Sequence, residues 1–272
     1  MADKIWTGAT SGDWGVSTNW SPSGVPLTTD SVYLTADYSV DITGSLDQSA
    51  VALDQFVVDG FTGKIGTLAL GYLQIDPNSF SFNGSDVAFI DVGGAIIDLN
   101  IQSTGGGGGG ATRGLYLKGA AIAVLSVING NVGLANQYGE GSAATTIRVT
   151  GGTMVCGSGA TLTTVDAYGG TTRLSANVTT LNVYAGNVST SSAAAITTLN
   201  GYGGTITHNG TGTITTANLD GAELDLAKSG IARTVTTLNL NAGGVITYDP
   251  AVITITTQNE ASVPVRLSAD NA

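Results

Sequence analysis

The sequence predicts an all-β chain wound as a right-handed parallel β-helix (a β-solenoid) and closed by a Trp-rich N-terminal cap. Three observations carry that prediction: a composition poor in helix formers, a short repeat through the C-terminal half, and an opening segment that holds all three Trp residues.

Of 272 residues, 40 are Gly, 42% are apolar, 6% aromatic and 11% charged. Ordinary domains carry roughly a quarter charged residues, so Thr, Ser, Asn and Gly must cover this surface. Those residues favour strands and turns over helices. A net charge of −11 with nine basic residues disfavours nucleic acid as a partner, because phosphate contacts need a concentrated basic face. The single Cys156 and single His208 exclude a disulfide framework and the usual Cys/His zinc site, and no cofactor is expected. No apolar run reaches the roughly 18 residues a membrane helix requires. The start, Met1-Ala2-Asp3-Lys4-Ile5-Trp6, lacks the charged and apolar regions of a secretory leader.

Residues 1–50 are expected to form the cap. Trp6, Trp14 and Trp20 alternate there with turn residues, Pro22 and Pro26, and a strand at Asp30-Ser31-Val32. A solenoid end exposes unpaired strand edges and apolar core, which large aromatic side chains can cover. A sugar-binding Trp cluster is the rival reading. Residues 51–120 read as irregular early coils, with strands at Gln55–Val58, Gly66–Leu70, Ala88–Val92 and Ala95–Ile101. Gly105 to Gly110 follow as a flexible surface loop or hinge, without the Lys-Ser/Thr that a phosphate-binding loop needs.

The regular solenoid is expected over 121–258, followed by a C-terminal tail at 259–272. A Thr-Thr pair followed by an apolar residue recurs at Thr145, Thr163, Thr179, Thr197, Thr215 and Thr236, with a last pair at Thr256, at spacings of 18, 16, 18, 18, 21 and 20. A degenerate copy begins at Ala123. Counted from the first Thr, apolar residues fill offsets −1, 2, 4 and 9; the last column runs Met154, Thr172, Val188, Ile206, Leu224, Val245. Gly occupies offset 7, with Ala222 in one coil. This period suits one coil of a β-solenoid, with coils stacked at about 4.8 Å so that equivalent side chains form ladders. Offset 3, facing outward, reads Arg148, Asp166, Asn182, Asn200, Asn218, Asn239, which predicts a ladder of hydrogen-bonded amides and an Arg148–Asp166 surface pair. Offset 5 reads Tyr168, Tyr184, Tyr202, then Asp220 and Asn241. The three Tyr form a candidate interaction surface for a protein or a sugar ring, or else shield the face or pack under a loop.

The opening Trp-x-Gly … Ser-x-Asp-Trp … Asn-Trp … Val-Pro … Asp-x-Val, together with Leu53–Gly66, resembles the N-terminal cap of β-solenoid proteins encoded by tailed phages and prophages. The Trp cap is also similar to that of autotransporter and adhesin passengers. The resemblance covers residues 5–75. It implies a virion structural protein of the capsid decoration or head fibre type, assembled in the host cytoplasm. Its partners would then be copies of itself, as a trimer, and the major capsid protein or other virion proteins.

Chemistry is expected to be absent. The basic residues Arg148, Arg173, Lys228 and Arg233 sit at different offsets and do not stack into one groove as a lyase requires. Asp220, Glu223 and Asp225 form the dense acidic group; Glu223 and Asp225 share a face at about 7 Å, a separation an inverting hydrolase could use. They read better as solvated carboxylates. His208, in a His-Asn-Gly turn, is expected on the surface, and Cys156 as a buried small hydrophobe. The sequence thus predicts a non-enzymatic virion protein, with a receptor- or glycan-binding spike or adhesin module as the alternative.

Overall fold

The computed structural model describes residues 1–84, 86–96, 98–104, 114–136, 140–227, 230–260 and 267–268. Among them there is no α-helix; the one helical piece is the 3₁₀ turn Ser17–Asn19. The chain is a parallel β-solenoid that divides into two compact units, Met1–Thr145 and Thr146–Ala272.

In the first unit the strand Asp3–Trp6 pairs in parallel with Ser31–Thr35, which pairs with the C-terminal part of Asp47–Asp59. The stack continues through Leu73–Asn83, Asp98–Ser103 and the end of Leu115–Val127. Ser31, Gln55, Ser79 and Asp98 are successive register partners, and Leu99 pairs with Leu125, at unequal steps along the chain. Coils this long and uneven leave irregular space, and rings fill it. Trp14 lies against Phe56, Phe56 against Phe80 and Phe80 against Phe82, at centroid separations of 6.3, 5.3 and 6.1 Å.

One expectation for this region is corrected, and one strand is added. Gly66–Leu70 is not a strand: Thr67 and Gly71 exchange backbone hydrogen bonds across a turn, and Leu68 and Leu70 are exposed. The apolar run Leu68-Ala69-Leu70 is there, but no neighbouring strand takes it up. Leu73–Asn83 is a strand that the sequence hides, because Pro77 lies within it. Pro has no N–H to give to a ladder, yet Pro77 sits opposite Leu53 next to an irregularity in the pairing, where register is already broken. The expected strand Ala95–Ile101 spans residue 97, which lies outside the described residues, as does the Gly105–Gly110 segment.

The second unit repeats the predicted register. Leu162, Val178, Ile196, Ile214, Val235 and Ile255 are successive parallel partners, one per coil. A second ladder runs Met154, Thr172, Val188, Ile206, Leu224, Ile246. The columns at offsets −1, 2, 4 and 9 are buried through most coils, with Val165, Leu181, Leu199, Ala217 and Leu238 wholly inaccessible. Full burial of one such Val or Leu side chain contributes roughly 1.5–3 kcal/mol. In the last coil, Ile253–Glu260, the inward positions carry exposed Gln258 and Glu260, so the apolar column ends there.

The register departs from expectation in one coil. Ile246, not Val245, lies in the inward column opposite Leu224 and is fully buried. The turn Asn241–Gly244 is longer by a single residue than its predecessor, which slips the following strand by one and turns Val245 outward. Likewise the left-handed corner residue before Glu223 is Gly221, with φ +95°, and Ala222 is buried instead. In three successive corners the glycine is obligatory on two counts. Gly170, Gly186 and Gly204 have φ of +66°, +80° and +76°, and a Cβ on each would lie 2.5 or 2.6 Å from the carbonyl oxygen of the glycine one coil earlier.

Candidate functional site

The strands Ala160–Ala167, Val178–Val183, Ile196–Gly201, Ile214–Leu219, Arg233–Leu240 and Ile253–Glu260 align their alternate side chains outward, because side chains in a strand point to opposite faces in turn. Three columns result. The first is Thr164, Thr180, Thr198, Thr216, Thr237 and Thr257. The second is the amide ladder. Asn182 Nδ2 donates to Asp166 Oδ1 at 2.8 Å, Asn200 to Asn182 at 2.8 Å, Asn218 to Asn200 at 2.8 Å, Asn239 to Asn218 at 2.6 Å and Asn259 to Asn239 at 2.8 Å. The ladder is longer than the four Asn expected: it starts on the Asp166 carboxylate and runs to Asn259. The expected ion pair between Arg148 and Asp166 does not form.

The third column, one residue past the ends of its strands, holds the tyrosines. Tyr168 and Tyr184 stack with centroids 4.7 Å apart and planes within 5°; Tyr184 and Tyr202 stack at 5.0 Å and 15°. They are 45%, 41% and 50% exposed. Desolvation, then the proximity of Tyr168, Asp166 and Tyr202, holds the Tyr184 phenol above its ordinary value. Stacking covers both faces of Tyr184. Tyr168 and Tyr202 are each stacked on one face only, so the strip offers a partner ring edges, a row of hydroxyls and the outer faces of its two end rings.

The Trp residues are placed differently. Trp6, Trp14 and Trp20 are at most 3% exposed and pack on one another with centroids 4.6 to 6.4 Å apart. Trp6 Nε1 donates to Val40 O and Trp20 Nε1 to Trp14 O. The short strand Trp20–Ser21 lies antiparallel along Asp3–Trp6, covering the edge opposite Ser31–Thr35. This overturns the sugar-binding reading of the cluster, which needs exposed rings.

His208 is also corrected. It ends the strand Thr205–His208 facing inward, 1% exposed, in line with Leu174 and Thr190. Nε2 donates to Gly212 O at 2.8 Å, which leaves Nδ1 to accept from the Thr190 hydroxyl at 2.5 Å. Burial pushes its pKa below the ordinary value, so the ring is neutral. Cys156 occupies the same inward column and is fully buried, its thiol pushed up to about 12 by desolvation.

Glu223 and Asp225 both face outward on one short strand, opposite Thr205 and Thr207. Glu223 is exposed and Asp225 accepts the Ala227 N–H at 2.9 Å. Lys228 lies outside the described residues, and Arg233 is buried. Among the described residues no three His, Cys, Asp or Glu side chains converge to hold a metal ion, and no helix is long and apolar enough to cross a membrane.

One cluster escaped the sequence reading. In the first unit Tyr72, Phe89 and Tyr116 are buried together, Phe89 and Tyr116 stacked at 4.5 Å. Lys118 Nζ lies 4.5 Å from the Tyr72 ring centre and 3.2 Å from Asp91. The pattern Leu115-Tyr116-Leu117-Lys118 was the available signal: both faces of that strand are covered, so alternation is lost. No known protein family, curated protein or solved structure matches this chain.

Proposed function

We propose that this chain is a non-enzymatic structural protein of a phage virion, an oligomer, as a trimer, that decorates or stabilises the capsid. The observation that carries the reading is the outward face of Thr, Asn and Tyr ladders in the second unit. From Thr180 to Asn239 its Thr and Asn columns carry no charge, on a chain whose net charge is −11. Charge depletion and exposed Tyr mark the cores of protein interfaces. A strip held by five amide hydrogen bonds loses little conformational freedom when a partner covers it. The placement on a virion rests on the resemblance carried by residues 5–75. Against the glycan-binding alternative stands the middle ring, Tyr184, whose two faces are both covered.

Mass photometry of the purified chain at micromolar concentration tests the oligomer. A trimer of the 27.2 kDa chain supports the reading, and a purely monomeric sample overturns it. The genes flanking this one, capsid and portal or tail assembly, decide between decoration protein and spike.

A further inference from the structure

We infer that Asn129 is a modification site, where the chain deamidates through a succinimide to aspartate and isoaspartate without an enzyme. The chain holds four Asn-Gly pairs, Asn83-Gly84, Asn129-Gly130, Asn200-Gly201 and Asn209-Gly210. In each, glycine lacks the Cβ that would hinder attack by its own nitrogen on the preceding side chain. Sequence alone therefore ranks the four alike, and the fold separates them.

Three are held away from reaction. Asn83 Nδ2 donates to Asp59 Oδ1 at 3.1 Å, and the Gly84 N–H is engaged by Ser103 O. Asn200 is fixed on both sides in the amide ladder, and Gly201 is buried within the strand Ile196–Gly201. Asn209 is half-buried, its N–H donates to Thr190 O, and Gly210 is buried.

Asn129 is exposed, in the turn between the strands Leu115–Val127 and Asn131–Leu134. Its own Oδ1 lies 2.8 Å from Gly130 N, so the side chain is already folded back over the nitrogen that must attack it. The Asn129 carboxamide and the attacking nitrogen are thus already neighbours, in a turn where Asn129 is open to solvent. Gly130 has φ +94°, a conformation glycine adopts at no steric cost.

The step balances without an added oxidant or reductant. Gly130 N gives its proton to a solvent base and bonds to Asn129 Cγ. The Cγ–Nδ2 bond then breaks, and Nδ2 leaves as ammonia with a proton from water. Water next adds to either carbonyl of the ring, opening it to aspartate or, through the other bond, to isoaspartate. The product carries one more negative charge. Isoaspartate also lengthens the backbone between residue 129 and Gly130, one residue before Asn131, whose N–H donates to Thr104 Oγ1.

The test is peptide mapping by mass spectrometry of the folded full-length protein during incubation in mildly alkaline buffer. A chemically denatured sample of the same chain supplies the unfolded rate at each site. The expected result is exchange of NH for O at Asn129 at a rate close to its denatured rate, with isoaspartate in the product. Asn200 should convert at least about tenfold more slowly folded than denatured, because it must wait for local opening. Asn129→Gln should abolish conversion at this position. Protection of Asn129 by the fold to the same degree as Asn200, or faster folded-state conversion at Asn83 or Asn209, would overturn the assignment.

Discussion

The two units hold the same kind of winding together by different means. In the first, long coils of unequal length enclose uneven space, and Trp and Phe rings fill it. In the second, shorter coils of similar length repeat one small design. Aliphatic columns face inward, glycines turn the corners, and Thr, Asn and Tyr ladders line the outside. A solenoid can thus be stabilised by volume or by repetition. Repetition brings an added constraint: each residue's neighbour is its own equivalent one coil away, so a substitution is felt in the coils on both sides.

The largest effects should come from breaking each core by its own logic. Leu199→Asp places an unpaired carboxylate in a wholly buried column, a cost of several kcal/mol. Trp14→Ala removes the ring that joins Trp6 and Trp20 to Phe56, at about 3–5 kcal/mol. Limited proteolysis with mass spectrometry should place the first cuts of Leu199→Asp within residues 146–260 and those of Trp14→Ala within 1–145. An unchanged melting temperature for Leu199→Asp would reject the inward column.

A sharper comparison uses glycine. Gly186→Ala should cost well over roughly 1 kcal/mol, since its Cβ would meet Gly170 O at 2.6 Å as well as face the penalty of φ +80°. Gly71→Ala in the first unit has φ +103° but open space around its Cβ, and should cost less. Equal losses in denaturant midpoint would show that backbone conformation alone matters. In the opposite direction, Thr172 is fully buried between Met154 and Val188, and its hydroxyl has no hydrogen-bond partner. Thr172→Val should therefore stabilise the second unit by about 1 kcal/mol, read as a raised midpoint.

The smallest effect is pH-dependent. Neutral His208 is favoured by the fold, whereas in the unfolded chain it titrates near 6.5. The unfolded state thus binds more protons between the lowered folded pKa and 6.5. Stability contributed by His208 is complete above that value and is lost as pH falls below it. His208→Gln should remove this part of the acid dependence in urea melts, and a wild-type profile in the variant would exclude it.

How much was legible follows the same division. The second unit could be read because each coil solves one packing problem with the same residue types, so register, inward columns and amide ladder all surface as sequence periodicity. The failures lie where a single partner overrides the pattern. An extra turn residue at Asn241–Gly244 moved Ile246 into the core. His208 went inside because Thr190 one coil earlier and the Gly212 carbonyl satisfy both ring nitrogens. In the first unit the strand through Pro77 and the buried Tyr72–Phe89–Tyr116 cluster depend on contacts between segments distant in sequence, with no repeat to announce them. The Tyr strip was legible as a column; that its rings cover one another's faces required the stacking geometry.

Parallel stacking in register is tested most directly by dipolar distances between spin labels on one column. With one label at Thr164 and the other at Thr216, Thr237 or Thr257, the register places them three, four and five coils apart. Distances rising by about 4.8 Å per coil, to roughly 14, 19 and 24 Å between backbones, are the expected result. A series that fails to rise in order, as antiparallel hairpins would give, contradicts it.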